Sequence, residues 1–121
     1  THADIGLINS KVKIKKEILN SALDLENCLK IKIKHFAYTY GNYKNISFDS
    51  LKIAISRYNY VYSCFRGNNY FNKNKYIIKR DTIYLSRSNN LLKIFISGFL
   101  DLKYFFDLIR TNKKIIKILK D

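Results

Sequence analysis

The feature that most constrains the fold is a strict alternation of apolar and basic residues over positions 29–34. Successive side chains of a strand point to opposite faces of a sheet, so this pattern predicts a strand with one buried and one solvated face. The apolar members are Leu29, Ile31 and Ile33, and the basic members are Lys30, Lys32 and Lys34.

One helix is predicted before this strand and another after it. Apolar residues recur three or four positions apart over residues 10–28, which is helical spacing. Lysines are concentrated at the start of this segment and acidic residues at its end. Both placements are unfavourable for the helix dipole, so we expect the helix to be stable only when another surface packs against it. The other helix is predicted to begin near Ser47 or Asp49, either of which can cap its free amides, and its apolar face continues to Phe65.

The rest of the chain predicts an α+β domain. Strands are expected over residues 75–85 and 91–96, a helical stripe over 102–109 and a closing strand over 114–120. From residue 29 the order is therefore β-α-β-β-α-β, the ferredoxin-like fold with two helices on one face of a four-stranded antiparallel sheet. Residues 1–28 would be an N-terminal helical extension of the domain at 29–121, and residues 66–90 a long hairpin arm.

The charge of the chain restricts its partners. Twenty-three Lys and Arg face nine Asp and Glu, a formal net charge of +14 in 121 residues. This excess opposes folding through self-repulsion unless an anion neutralises it, and nucleic acid is the commonest such anion. An anionic membrane surface is a second candidate, but no apolar run approaches the roughly 18 residues of a spanning helix, so no membrane partner is expected.

Basic and aromatic residues in one segment point to RNA. Over residues 66–90, Lys and Arg can bind phosphate, aromatic rings can stack on unpaired bases, and Asn can bond base edges. A solvated hairpin and an ordinary solvated strand face remain the alternatives for these positions. The predicted RNA-binding residues are Lys30, Lys32, Lys34, Arg66, Lys73, Lys75, Lys79, Arg80, Arg87 and Ser88.

Motifs for catalysis or metal binding are missing from the sequence. The two His and two Cys have none of the spacings of a zinc site or a redox pair. No Gly-rich phosphate loop, paired carboxylate motif or nucleophile elbow is present. We therefore predict no catalytic residue, no metal, no cofactor and no small-molecule substrate, so the chain is not expected to be an enzyme.

Five segments resemble the S-ten family of small-subunit ribosomal proteins. One is the helix that begins Ser50-Leu51 with Ile55, which is similar to the family's S-x-x-x-I-V helix. Residues 30–38, KIKIKHFAY, are similar to the opening strand of that family, and residues 79–88, KRDTIYLSRS, to its hairpin arm. Residues 91–94 resemble its next strand and 114–119 its closing strand, in the family's order. The chain departs from the family in having no proline, and it reads Ser88-Asn89-Asn90 where the family has an S-P-H element.

The resemblance implies a structural constituent of the head of the small ribosomal subunit, which binds rRNA and supports translation. Neighbouring head proteins of the S-fourteen, S-nine and S-three families would be its partners. A residue usage skewed to A/T-rich codons, together with this family, favours a mitochondrial ribosome in the matrix; another organelle or the cytoplasm is the alternative. Two other functions stay open: an RRM-like single-strand RNA-binding module, which shares the β-α-β-β-α-β order, and an A/T-biased interaction protein whose lysines are incidental.

Overall fold

Helices dominate the computed structural model, which describes residues 3–67, 69, 75–80 and 88–120. Short 3-10 helices lie at Ile5–Leu7, Tyr43–Asn45 and Phe99–Tyr104, and a π-helical turn lies at Lys16–Asn20. The strands are β1, His35–Ala37, and β2, Tyr60–Tyr62. The α-helices are α1, Lys11–Lys15; α2, Ser21–Leu29; α3, Phe48–Arg57; α4, Asn89–Ile96; and α5, Phe105–Lys120.

The predicted ferredoxin-like fold is wrong. In the described part of the chain, the sheet consists of β1 and β2, which are parallel, with the register His35–Tyr60, Phe36–Val61 and Ala37–Tyr62. Tyr62 also makes an isolated parallel bridge to Ile78 on the other side of β2. The chain between the two parallel strands includes α3, as parallel pairing requires a crossover connection.

The N-terminal helix is confirmed over almost the whole predicted range. It comprises α1, the π-helical turn and α2, and Ser10 accepts a hydrogen bond from the amide of Lys13 at its start. Its buried residues Ile14, Ile18 and Ala22 are three of those that predicted the helix. This face packs on α3, which is the outside surface that the unfavourable placement of charge led us to expect.

The strand predicted over residues 29–34 is wrong, because none of these residues is in a strand. Leu29 is the last residue of α2, and Lys30 takes a left-handed conformation with a φ of 55°. Ile31 is 58% exposed, and the strand begins only at His35. A strand needs a neighbour for its backbone hydrogen bonds, and the neighbour in this structure, β2, pairs with residues 35–37.

The helix predicted from residue 47 exists but is shorter than expected. The Ser47 hydroxyl accepts a hydrogen bond from the amide of Ser50, so Ser47 is the cap and Asp49 lies in the first turn. α3 ends at Arg57, eight residues before Phe65. The residues that follow are aromatic or β-branched and alternate with a period of two, which suits a strand, and they form β2.

Both strands predicted in the last third of the chain are helices. Residues 91–96 belong to α4 and residues 114–120 to α5. The isoleucines of these segments favoured strands, but Thr111, Ile115 and Ile118 are three or four positions apart and are buried together. Packing of that helical face outweighed the weak strand preference of single residues. The helical stripe expected over 102–109 is divided between the 3-10 helix and α5.

The predicted hairpin arm is only partly described. Residues 75–80 lie beside β2 and contribute the bridge at Ile78, while residues 70–74 and 81–87 fall outside the described residues. The division of the chain at residue 28 stays a prediction. Residues from both sides of that boundary meet in one core, which comprises Ile5, Ile14, Ile18, Ala22, Tyr38, Ile46, Leu51, Ile53, Ala54, Tyr58, Val61, Phe65, Ile77, Ile115 and Ile118.

Candidate nucleic-acid interface

Three aromatic rings stand together on the outer face of the sheet. The His35 ring lies 4.8 Å from the Tyr60 ring, centroid to centroid, with 14° between the planes. It lies 5.9 Å from the Tyr62 ring with 28° between the planes, and its Nδ1 is 2.9 Å from the Tyr62 hydroxyl. His35 and Tyr60 are exposed and Tyr62 is half-buried. We call these three residues the ring platform.

The strand register builds the ring platform. His35 and Tyr60 are directly paired, and Tyr62 lies two residues further along β2, so all three side chains point to the same side. The intervening residues Phe36 and Val61 point to the core. Beneath the sheet, the Phe36 ring stacks on Tyr58 at 5.2 Å between centroids, which fixes the inner face.

A buried hydrogen bond also holds the sheet on its inner side. The Tyr38 hydroxyl lies 3.1 Å from the Ser50 hydroxyl of α3, and Tyr38 is only 1% exposed. Burial raises the pKa of the Tyr38 phenol, so it remains a neutral hydrogen-bonding group. The strand is thereby tied to the helix that crosses behind it.

Two exposed lysines, Lys34 and Lys75, are joined through their backbone carbonyls to β2, the strand that carries Tyr60 and Tyr62. Lys34 is exposed and immediately precedes β1, and its carbonyl accepts hydrogen bonds from the amides of Asn59 and Tyr60 at 2.9 and 3.1 Å. On the other side of β2, the Lys75 carbonyl accepts from the Val61 amide at 3.0 Å. Lys32 is exposed two residues before Lys34. Exposed aromatic rings can stack on an unpaired base, and exposed lysines in neighbouring segments can bind phosphates.

The segment before β1 is held by an ion pair. The Glu26 carboxylate lies 2.6 Å from a guanidinium nitrogen of Arg57 and accepts a hydrogen bond from the Ile33 amide at 2.8 Å. The Arg57 hydrogen bond, followed by that of Ile33, lowers the pKa of the Glu26 carboxyl. This contact anchors residues 31–34, and with them Lys32 and Lys34, against α3.

The structure places the two described arginines of the predicted site in structural contacts. Arg66 is 8% exposed; it donates to the Phe95 carbonyl at 2.9 Å, and its guanidinium carbon lies 3.9 Å from the centre of the Phe95 ring. Its Nε is 3.6 Å from a carboxylate oxygen of Asp101. Arg80 donates to the carbonyls of Tyr38 and Ser63 at 2.8 and 3.3 Å. RNA binding by these two side chains stays a prediction.

The remaining predicted residues are dispersed. The backbone amide and carbonyl of Lys79 both pair with the side chain of Asn69, at 2.8 Å each. Lys30 is exposed at the end of α2, and Ser88 is the exposed residue before α4. Lys73 and Arg87 lie outside the described residues.

Of the predicted residues, Lys34 and Lys75 are therefore bonded to β2 through their backbones, and Lys32 is exposed two residues before Lys34. The Lys75 ammonium lies 5.3 Å from the centre of the Tyr76 ring, which is not part of the platform. The ring platform was not predicted from the sequence. Its signal was present in the alternation of Tyr60, Val61 and Tyr62, which has the period of a strand. It was overlooked because Tyr62 also continued the apolar face of the preceding helix, which was expected to reach Phe65.

Neither a metal site nor a membrane span is found in the described ranges. No three His, Cys, Asp or Glu residues there are grouped so that they could hold a metal ion. No described helix is long and apolar enough to cross a membrane. Comparison with known proteins adds no relative: no family model, no curated protein and no solved structure matches this chain.

Proposed function

We propose that this chain is an RNA-bound structural protein of a ribonucleoprotein particle, and that the particle is the small ribosomal subunit. The observation that carries the proposal is the ring platform, together with exposed lysines in the chain segments next to β1 and β2. Stacking on exposed rings and contact with phosphates together are the usual means of binding unpaired RNA. No catalytic residue is part of this proposal.

The net charge supports the RNA part of the proposal. A chain with a formal charge of +14 gains from contact with a polyanion, because each neutralised phosphate releases counterions. Part of this charge is carried by Lys32, Lys34 and Lys75, which are exposed in the segments next to the strands that carry the platform. Neither the net charge nor the exposure of these lysines depends on a ferredoxin-like fold.

The ribosomal part rests on the sequence segments that resemble the S-ten family. The fold that this resemblance implied has been corrected, so the support comes from the matching segments and their order. The subunit head, neighbours of the S-fourteen, S-nine and S-three families, and a mitochondrial matrix location follow from the same resemblance and from the codon bias. The head location, these neighbours and the matrix location are proposed together with the ribosomal assignment.

An RNA-binding module that acts on its own is the second candidate. The exposure of Tyr60, at 40%, favours it, since an exposed ring on a sheet is where such modules stack a base. Tight binding of the isolated protein to one short single strand would support the module. Weak, sequence-tolerant binding together with migration in the small subunit would support the structural protein.

The test is the sedimentation of a charge-reversed variant. Changing Lys32, Lys34 and Lys75 to Glu should remove the tagged protein from the small-subunit peak of a sucrose gradient, because repulsion replaces three phosphate contacts. Circular dichroism should show the same helix content as in the wild type, since all three side chains are exposed.

A matched control changes three exposed lysines elsewhere. Lys13, Lys15 and Lys16 lie on the N-terminal helix, and their change to Glu lowers the net charge by the same amount. This control should still sediment with the subunit. If the first variant stays in the peak, or if both variants leave it equally, the proposed interface is wrong.

A further inference from the structure

The C-terminal helix α5 has two apolar faces, of which only one is covered. Its inner face contributes Thr111, Ile115 and Ile118 to the protein core. A second set of apolar side chains is solvent-exposed: Phe105 at 54%, Ile109 at 38%, Ile116 at 53% and Leu119 at 58%. Exposed apolar side chains on one helix face are typical of a site of interaction.

The spacing of this second face is that of a coiled-coil seam. Positions 105, 109, 112, 116 and 119 are separated by four, three, four and three residues, which is the alternation of core positions in a heptad repeat. Asn112 occupies the middle position, and a single Asn in such a seam fixes register and partner at some cost in stability. The helix is already held in place by its inner face, so a partner does not have to induce it.

One border of the seam is cationic, and the other, at Leu108 and Ile115, faces the protein core. Lys113 and Lys120 lie at flanking positions of the heptad, and Arg110 and Lys117 come next on the solvent side. All four are exposed, and no carboxylate occurs from residue 108 to residue 120. Lys113, Ile116, Lys117 and Lys120 together line a surface groove.

We propose that this face of α5 docks an amphipathic helix of another protein, whose apolar seam is flanked by Asp and Glu. Residues that flank a heptad seam set partner choice through their charges, and lysines there require carboxylates opposite them. The proposal goes beyond RNA binding and does not depend on it.

A second copy of this chain fits the face poorly. In an antiparallel pair, Lys113 and Lys120 would face the same lysines of the other copy. In a parallel pair, they would face Leu108 or Ile115, which pack in or against the core of their own chain. Neither arrangement supplies a carboxylate, and like charges at these positions act against self-association.

The test uses three synthetic peptides of 16 residues, the length of α5, and the full chain. One peptide has leucines at heptad spacing with flanking Glu; a second has Lys in place of Glu; a third has the composition of the first in scrambled order. By fluorescence anisotropy, the ordered acidic peptide should bind roughly tenfold or more tighter than either of the others, a difference of about 1.4 kcal/mol. Equal binding of the scrambled peptide would show that charge alone acts, and would overturn the proposal.

Variants locate the binding on α5. Ile116→Ser should abolish the preference for the ordered acidic peptide, whereas Ile31→Ser, at a residue of similar exposure (58%), should leave it unchanged. Changing Lys113 and Lys120 to Glu should reverse the preference toward the peptide with flanking Lys. Preference for the acidic peptide that survives either α5 change would refute the assignment.

Other occupants give distinct results. Concentration-dependent self-association that Ile116→Ser removes would replace the proposed helix with a second copy. Binding to vesicles containing phosphatidylserine, lost in Ile116→Ser while the acidic peptide fails to bind, would replace it with a lipid surface. Loss of binding to a short RNA in Ile116→Ser would assign the face to RNA.

Discussion

Removing the Tyr60 ring gives the sharpest test of the ring platform. We choose Tyr60→Val, because valine is a good strand residue and keeps β2 intact while it removes the aromatic surface. The ring is 40% exposed and lies 4.8 Å from the His35 ring. The substitution therefore removes a surface for an incoming base together with one ring contact of the folded protein.

The expected loss follows from the value of a single stacked base. Alanine substitution of such rings costs about 1–3 kcal/mol of binding per base, which is roughly a 5- to 150-fold weaker affinity. The lost ring contact with His35 costs about 0.5–1.5 kcal/mol of folding stability, so the variant should stay folded. Charge is unchanged, so the slope of affinity against salt concentration should equal that of the wild type.

The assay is fluorescence anisotropy with a short unpaired RNA at an ionic strength of about 0.15 M. Tyr60→Phe keeps the ring and should bind within about twofold of the wild type, since stacking needs no hydroxyl. Tyr40→Val removes a ring of similar exposure, 52%, away from the platform and should also bind normally. Wild-type affinity of folded Tyr60→Val, or an equal loss in Tyr40→Val, would refute stacking on this face.

Two further predictions concern stability. The pKa of the Glu26 carboxyl lies below its ordinary value of 4.5 because of Arg57, so the stabilisation from this pair is complete well above pH 4.5 and is lost as the pH falls through the lowered value. The difference in unfolding free energy between wild type and Glu26→Gln, measured by urea denaturation, should therefore shrink below that pH; a difference independent of pH would contradict the pairing. Arg80→Ala should cost about 1–2 kcal/mol of stability, because it removes donors from the Tyr38 and Ser63 carbonyls. An unchanged denaturation midpoint would show that these bonds contribute nothing.

The features that could be read from the sequence are local ones. The helix over residues 10–28 has its own periodicity, and Ser47 caps α3 through a contact only three residues away. Helical hydrogen bonds join residues four apart, so neighbouring side chains largely determine where such elements begin. The positive charge and the exposure of most lysines follow from composition in the same way.

The pairing of the sheet could not be predicted from neighbouring residues. β1 and β2 are three residues each and pair across a connection that contains α3, so the short strand pattern of Tyr60 to Tyr62 does not indicate which segment it pairs with. The apolar runs at 91–96 and 114–120 are short enough to suit either a strand or a helix. At 114–120, burial of Thr111, Ile115 and Ile118 in the core decided for the helix, whereas α4 at 91–96 has no fully buried residue.

The sequence by itself determined a basic chain with a helical N-terminal segment, a capped α3 and lysines next to aromatic residues. Only the tertiary structure decided which of these residues meet. Parallel pairing places His35 beside Tyr60, and the same packing directs Arg66 and Arg80 to backbone carbonyls. The physical reason is that register and burial depend on contacts between residues far apart in the chain, whereas helix starts and net charge depend on neighbours and on composition.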